Sequence, residues 1–399
     1  QQKLQEAEES IKKAIKLNPN HAKVFFTHGD ILRGLGNLKE AELSIRKAIE
    51  LKPNWAKAHE FLGLVHLENN KYESSLKCLS ESANLLNLEN KECNEKRYTL
   101  ISQAKIKHDI EQFEYLASKG YETQKFENLA NLYKQVKSEI KWPSYTQGIT
   151  LSSKYQNLLK DSYNRIINLI DAPKLKKGAV NNSLNIDQIS NDYFDHEFGL
   201  TYIDNFLSPL AIESLRKFLL ESTIWFNIRK NGYLGAFLRD GFSNPLIIQI
   251  ADELRKKCPR IFKDYPINNL WAFKYDNQPK NHISSLKGIN VHADFAAINV
   301  NFWITPNESN LNPQSGGLIV YDVEAPKEWD FNTYNTDEQK IREELRKSKG
   351  NTRVIPYKEN RAIVFNSNLF HETDKYEFKE GYENRRINVT LLFGKRINA

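Results

Sequence analysis

Apolar positions in the first 170 residues recur at helical spacing, and those beyond residue 200 recur at strand spacing. In "IEQFEYLASKGYETQKFENLANLYKQV", Phe113, Leu116 and Ala117, then Phe126, Leu129, Leu132, Tyr133 and Val136, lie three or four apart, as in helices buried on one side. Trp142-Pro143 predicts a break, and residues 155–170 one further amphipathic helix. The polar stretch "DAPKLKKGAVNNSLNIDQISN", interrupted by Pro and Gly, predicts a linker. After it, "GLTYIDNFLSPLAIESLRKFLLES" predicts a strand, a Ser-Pro helix start and an amphipathic helix. Short alternating runs follow: "LWAFKYD", "INVHADFAAINVNFW" (two half-buried strands), "GGLIVYDV", "RAIVFNSNLFHET" and "RRINVTLLFG". They predict a β-sandwich or jelly roll. The charged helical stretch "TDEQKIREELRKSK" lies in an insert, residues 324–352, that reads equally as a lid or as a surface excursion.

Laid on itself at an offset of 34, the chain aligns Ala7 with Ala41 and Ser75, Ala14 with Ala48 and Ser82, Pro19 with Pro53, and Gly29 with Gly63. "AIKLNPNHAKV" and "AIELKPNWAKA" nearly coincide. This period, with small residues at helix crossings and Pro between repeats, resembles the tetratricopeptide repeat, and implies an all-α solenoid with a concave, peptide-binding surface. The expected organisation is repeats over 1–90 with the first truncated, capping helices over 91–172, a linker over 173–195, and a β-domain over 196–399. A lone first helix cannot bury its face by stacking, so further repeats are expected upstream.

Composition narrows the class. With 40% hydrophobic and 27% charged residues and no apolar run near a membrane span, a soluble globular protein without a membrane span is expected. The net charge of +7 is spread along the chain, which argues against a nucleic-acid partner. Cys78, Cys93 and Cys258 are too far apart for a disulfide framework or a zinc site, so reduced thiols and a cytoplasmic location are expected. The chain has no Met and opens on "QQKLQEAEES"; it reads as a piece of a longer one, with upstream targeting left open.

Inside the apolar run at 289–303 sits a costly polar pair, His292 and Asp294. Side chains at i and i+2 share a strand face. Asn290, His292 and Asp294 therefore oppose Val291, Ala293 and Phe295; Asn299, Asn301 and Trp303 oppose Val300, Phe302 and Ile304; and Arg386, Asn388 and Thr390 oppose Ile387, Val389 and Leu391. Polar faces turned inward would line a pocket. His-x-Asp alone is weak evidence of metal binding. A second histidine, His371, follows the run "AIVF", and Arg386 comes fifteen residues later. Two histidines and one carboxylate form the facial triad of non-haem Fe(II) oxygenases, with coordination positions left open.

His-x-Asp, a distant His and an Arg on the next strand resemble the Fe(II)/2-oxoglutarate-dependent dioxygenases, over about residues 200–396. "LTYIDNFLSP", "FKYDN", "SGGLIVYD" and "RINVTLLF", in that order, resemble the prolyl-hydroxylase-like branch. The resemblance implies an α+β domain built on a double-stranded β-helix, the jelly roll. It implies His292, Asp294 and His371 as the catalytic iron ligands, and Arg386 as the residue that binds 2-oxoglutarate, helped by Tyr275 and Thr390. It further implies Fe(II), 2-oxoglutarate and dioxygen as cofactor and cosubstrates. Parity favours Arg386 over Arg385 for that role. Asn301, Trp303 and Asn388 are substrate-pocket candidates, Trp303 equally a core residue. The Arg386-x-Asn388-x-Thr390 run also resembles the nucleic-acid demethylating branch, which has a second Arg where this chain has Leu392. A hydroxylase acting on a protein or peptide side chain, with the repeats binding a protein partner, is the leading expectation. The alternatives are a small-molecule or lipid hydroxylase and a non-catalytic repeat scaffold.

Overall fold

The computed structural model describes residues 2–88, 96–277 and 288–396. Five helices come first: α1 (Gln2–Leu17), α2 (Ala22–Gly34), α3 (Leu38–Leu51), α4 (Ala56–Glu68) and α5 (Tyr72–Leu88). They pair α2 with α3 and α4 with α5, so each 34-residue period is one helical hairpin. The small residues of the repeat lie where the helices touch. A Cβ on Gly29 would sit 2.5 Å from Ile45 Cδ1, and one on Gly63 would sit 2.7 Å from Leu79 Cγ. Across the second hairpin, Ser75 Oγ donates to Gly63 O at 2.7 Å and Ser82 Oγ to Ala56 O at 2.9 Å.

A second helical layer follows, with α6 (Lys96–Thr99), β1 (Leu100–Ile101), α7 (Gln103–Ser118), α8 (Thr123–Glu139), β2 (Ile149–Thr150) and α9 (Ser153–Leu159). Phe113, Leu116, Phe126, Tyr133 and Val136 form its core, as their spacing predicts. The helix expected over 155–170 stops at Leu159. Beyond it Asn164 takes φ 52°, and the Ile167 and Asn168 amides donate to Thr223 Oγ1 at 2.9 and 3.1 Å instead of to helical carbonyls. The segment expected as a linker carries α10 (Ile186–Asp195) and buries Ala179, Val180, Ile189 and Tyr193 in the core of the following domain.

That domain continues with β3 (Leu200–Ile203), α11 (Pro209–Glu221), β4 (Asn227–Ile228), β5 (Leu234–Phe237), α12 (Pro245–Lys257), α13 (Pro259–Phe262) and β6 (Ile267–Lys274). Then come β7 (Ile298–Trp303), β8 (Leu318–Glu324), α14 (Phe331–Thr336), α15 (Glu338–Lys347) and β9 (Thr352–Ile355). The last strands are β10 (Ala362–Asn366), β11 (Leu369–Thr373) and β12 (Ile387–Phe393). Seven strands form one antiparallel sheet, ordered β3-β10-β7-β12-β6-β5-β4, and three form a smaller one, β11-β8-β9. From β7 to β12 the chain passes back and forth between the two sheets, which makes the domain a double-stranded β-helix. Alternation sorts the large sheet's side chains. Leu270, Ala272, Val300, Phe302, Val364, Val389 and Leu391 pack in one core with residues of α11 and α12. Trp271, Phe273, Tyr275, Trp303, Phe365 and Leu392 pack in a second, with residues of the small sheet.

The helices dock on this domain. Leu67 of α4 and Leu79 of α5 belong to its core cluster. Glu68 pairs with Arg33 and, at 3.1 Å, with Lys395, while Arg255 donates to Asn70 Oδ1 at 3.0 Å. The chain's own β-domain thus covers part of the second repeat. From α7, Glu111 holds Arg385 at 2.8 Å, and His108 is fully buried against Trp225 and Tyr382. Burial, then the charges of Lys274, Arg385, Lys105 and Lys107, push the His108 imidazole well below its ordinary value. The unfolded chain takes up this proton near pH 6.5 and the folded chain does not, so the stability His108 allows is present above pH 6.5 and lost below it. The loss approaches about 1.4 kcal/mol per pH unit until the folded imidazole titrates. Urea unfolding of His108→Gln is expected to be less acid-sensitive than wild type; equal acid sensitivity would contradict this account.

Among the described residues no helix is long and apolar enough to cross a membrane. Cys78 and Cys258 are free thiols; Cys93 lies outside the described residues.

Candidate metal centre

The run at 289–303 is one strand, β7, preceded by an irregular segment that pairs only at His292. There the backbones of His292 and His371 exchange hydrogen bonds, His292 N to His371 O at 3.0 Å and His371 N to His292 O at 2.8 Å. This bridge brings together two histidines 79 positions apart, with ring centroids separated by 4.2 Å. Asp294 completes a cluster whose ligand atoms all lie within 4.8 Å of one another. Val291 and Ala293 keep the opposite face. Phe295 does not: bends follow Asp294, and its ring lies 6.4 Å from that of Trp271 on the cleft side.

Each imidazole presents Nε2 to the centre. His292 Nδ1 lies 2.8 Å from Asn290 O and His371 Nδ1 lies 3.0 Å from Leu369 O. A carbonyl only accepts, so both Nδ1 atoms carry the proton and both Nε2 atoms carry a lone pair. Those Nε2 atoms sit 3.8 and 3.5 Å from the Asp294 carboxylate, longer than direct hydrogen bonds. Burial, then His371, push the His292 imidazole down to about 4. Burial pushes the Asp294 carboxyl up, but His371, His292 and Asn299 outweigh it and hold the group below the usual carboxylate range. One buried anion facing two lone pairs is a donor set that a divalent cation fits.

Trp271, Phe273, Tyr275, Ile289, Leu318 and Thr373 line the narrow cleft beside the cluster together with Asn301, Arg386, Asn388 and Thr390. Arg386 donates from Nε to Gly316 O at 2.7 Å and from Nη2 to Gly317 O at 3.1 Å. Its guanidinium lies over Tyr275 at 4.5 Å and Trp303 at 5.5 Å, and its buried Nη1 has no hydrogen-bond partner among the described residues. Among the described residues no carboxylate pairs with it, whereas Arg385, on the opposite face, is held by Glu111 and Asp276.

The other sequence candidates divide. Tyr275 lies under Arg386 with its hydroxyl 3.3 Å from Thr373 Oγ1. Trp303 does not line the cleft; it is fully buried and stacked on Tyr357. Asn388 Nδ2 and Thr390 Oγ1 both donate to Asn301 Oδ1, at 2.8 and 2.7 Å, and Asn301 Nδ2 donates to Asn299 Oδ1 at 2.9 Å. Asn299, not among the sequence candidates, then donates to Asp294 Oδ2. Its parity with Asn301 was the available signal. Trp271, Phe273 and Thr373 share parity with Tyr275 and His371 in the same way.

The insert packs behind the cluster. Ala293 N donates to Tyr334 O at 2.9 Å, and Asn335 Nδ2 donates to Ala293 O at 2.9 Å. Arg342 grips Glu372, next to His371, at 2.7 and 3.1 Å. Val291, Ala293, Phe370, Tyr334 and Ile341 share one small core. These contacts make the insert a brace on both histidine segments.

The tetratricopeptide repeat family matches residues 1–21 and 22–54. No curated protein matches the chain. Among solved structures, the chain is similar to a Pseudomonas putida prolyl-4-hydroxylase (13% identity, 55% of this chain and 98% of that one, TM-score 0.31). It is similar to the non-heme alpha-ketoglutarate-dependent epimerase SnoN of nogalamycin biosynthesis (8% identity, 53% and 82%, TM-score 0.36). It is also similar to the TPR2B domain of yeast Sti1 in its pHsp70 complex (24% identity, 21% and 67%, TM-score 0.21).

Proposed function

We propose that this union of tetratricopeptide repeats and a double-stranded β-helix is an Fe(II)- and 2-oxoglutarate-dependent dioxygenase. One observation carries the reading: an anionic two-His, one-Asp cluster shares a cleft with a buried arginine that has no carboxylate partner among the described residues. His292, Asp294 and His371 would hold the metal and leave neighbouring coordination positions free. Arg386 would take the distal carboxylate of 2-oxoglutarate with its unpartnered Nη1, Tyr275 supporting the guanidinium from below. Bound iron supplies the oxidation, in which 2-oxoglutarate, dioxygen and a substrate C–H give succinate, CO2 and the C–OH product. The protein's share is to fix the ligand tautomers, keep Asp294 anionic and enclose the reacting groups.

The preferred substrate is a protein or peptide side chain, with the repeats as partner-binding surface. A small-molecule substrate is the second reading. It is favoured by α4, where Leu67 and Glu68 are spent on the chain's own β-domain and are closed to a peptide.

Anaerobic protein is expected to bind one Fe(II) and, with 2-oxoglutarate, to show the weak visible band of the chelate. Absence of that band in wild type would refute the enzyme reading. Succinate release screened over peptide and metabolite pools decides the substrate; activity on metabolites alone would overturn the peptide assignment.

A further inference from the structure

The amide chain behind Asp294 has a direction, and the carboxylate sets it. An ionised Asp294 only accepts, so Asn299 must turn Nδ2 toward it and Oδ1 away. That oxygen then requires the amide nitrogen of Asn301, whose own oxygen accepts from Asn388 and Thr390. All five side chains are buried, Asn299 completely. The two histidines are oriented by carbonyls of their own segments, whereas Asp294 depends on a side chain from β7.

We propose that Asn299 is the positioning residue of the metal centre: by holding Asp294 Oδ2, the oxygen nearer His371 Nε2, it fixes the turn of the carboxylate and leaves Oδ1 free for the cation. A carboxylate held by one oxygen occupies a single coordination position; released, it can turn and take two, closing a position that the cosubstrate needs. Asn301 acts one step further back by fixing which way the Asn299 amide faces. This role rests on the proposed metal site, and it removes Asn301 Oδ1 from direct contact with substrate.

The test uses Mn(II) as probe, titrated into metal-free full-length protein and read by the EPR signal of the free ion. Asn299→Leu, similar in size but without a donor, is expected to weaken Mn(II) binding about 10- to 100-fold, the usual cost of a lost outer partner. Asn301→Leu is expected to weaken it about fivefold, the worth of one neutral hydrogen bond. With Co(II), the change in the visible spectrum on adding 2-oxoglutarate is expected to be lost in Asn299→Leu, a response that packing damage alone does not remove. Melting of the metal-free variants is followed in parallel. Wild type that fails to bind Mn(II) sinks the metal site itself. Wild type that binds, with both variants binding within twofold of it, overturns the role of Asn299 and leaves the site standing. If Asn299→Leu does not fold, Asn301→Leu decides: weakened binding supports the proposal and unchanged binding overturns it.

Discussion

Asp294→Asn is expected to eliminate metal binding and turnover while leaving the metal-free fold within about 1 kcal/mol of wild type. Asn keeps the shape of Asp and an amide oxygen that still accepts from Asn299, so the buried chain through Asn301 to Thr390 stays satisfied. What disappears is the only anion among the three converging donors, and two neutral imidazoles hold a divalent ion poorly on their own. Loss of an outer partner alone costs roughly 10- to 100-fold in affinity, and loss of a direct ligand should exceed that range. Titration with Mn(II), alongside thermal melts of the metal-free protein, reads both halves. Retained binding would show that the carboxylate is not a ligand; a collapsed melting temperature would show that Asp294 is there for structure.

Much of this centre is legible in the sequence because strand parity survives folding. The alternation that puts Arg386, Asn388 and Thr390 on one side of β12 separates Arg386 in the cleft from Arg385 at the α7 interface. The period of 34 gives α2 to α5 directly, since Gly29 and Gly63 stand at the helix crossings, where any Cβ would displace Ile45 or Leu79. The failures have one cause, which is that long-range partners leave no local pattern. Residues 289–297 look like a strand but, among the described residues, are bridged only by His371. The helix expected past Leu159 loses its amides to Thr223. The polar stretch at 173–195 reads as a linker because just a few of its residues, Ala179, Val180, Ile189 and Tyr193 among them, are buried, and by a distant surface. Asn299 reads as one more polar strand residue until Asp294 is seen to turn back onto it.

Arg386 is expected to control 2-oxoglutarate and little else. A buried cation without a carboxylate partner is costly to keep; among the described residues Arg386 has none, and two glycine carbonyls and two aromatic faces offset only part of that cost. An arriving carboxylate would meet the unused Nη1 in a site already desolvated. A hydrogen bond to a charged group contributes about 1.5–3 kcal/mol, so Arg386→Met should raise the KM for 2-oxoglutarate roughly 10- to 150-fold. Mn(II) affinity should stay near wild type, because Arg386 has no contact with His292, Asp294 or His371 among its bonded partners. Stability should hold or rise, since the substitution removes a buried charge and keeps the apolar stem. Arg386→Lys should behave like Met more than like Arg, because an ammonium cannot span Gly316 O and Gly317 O and still offer a planar donor outward. Steady-state kinetics against 2-oxoglutarate, with metal held saturating, separate these outcomes. An unchanged KM in both variants would move the cosubstrate away from Arg386 and reopen the question of what anion that guanidinium awaits.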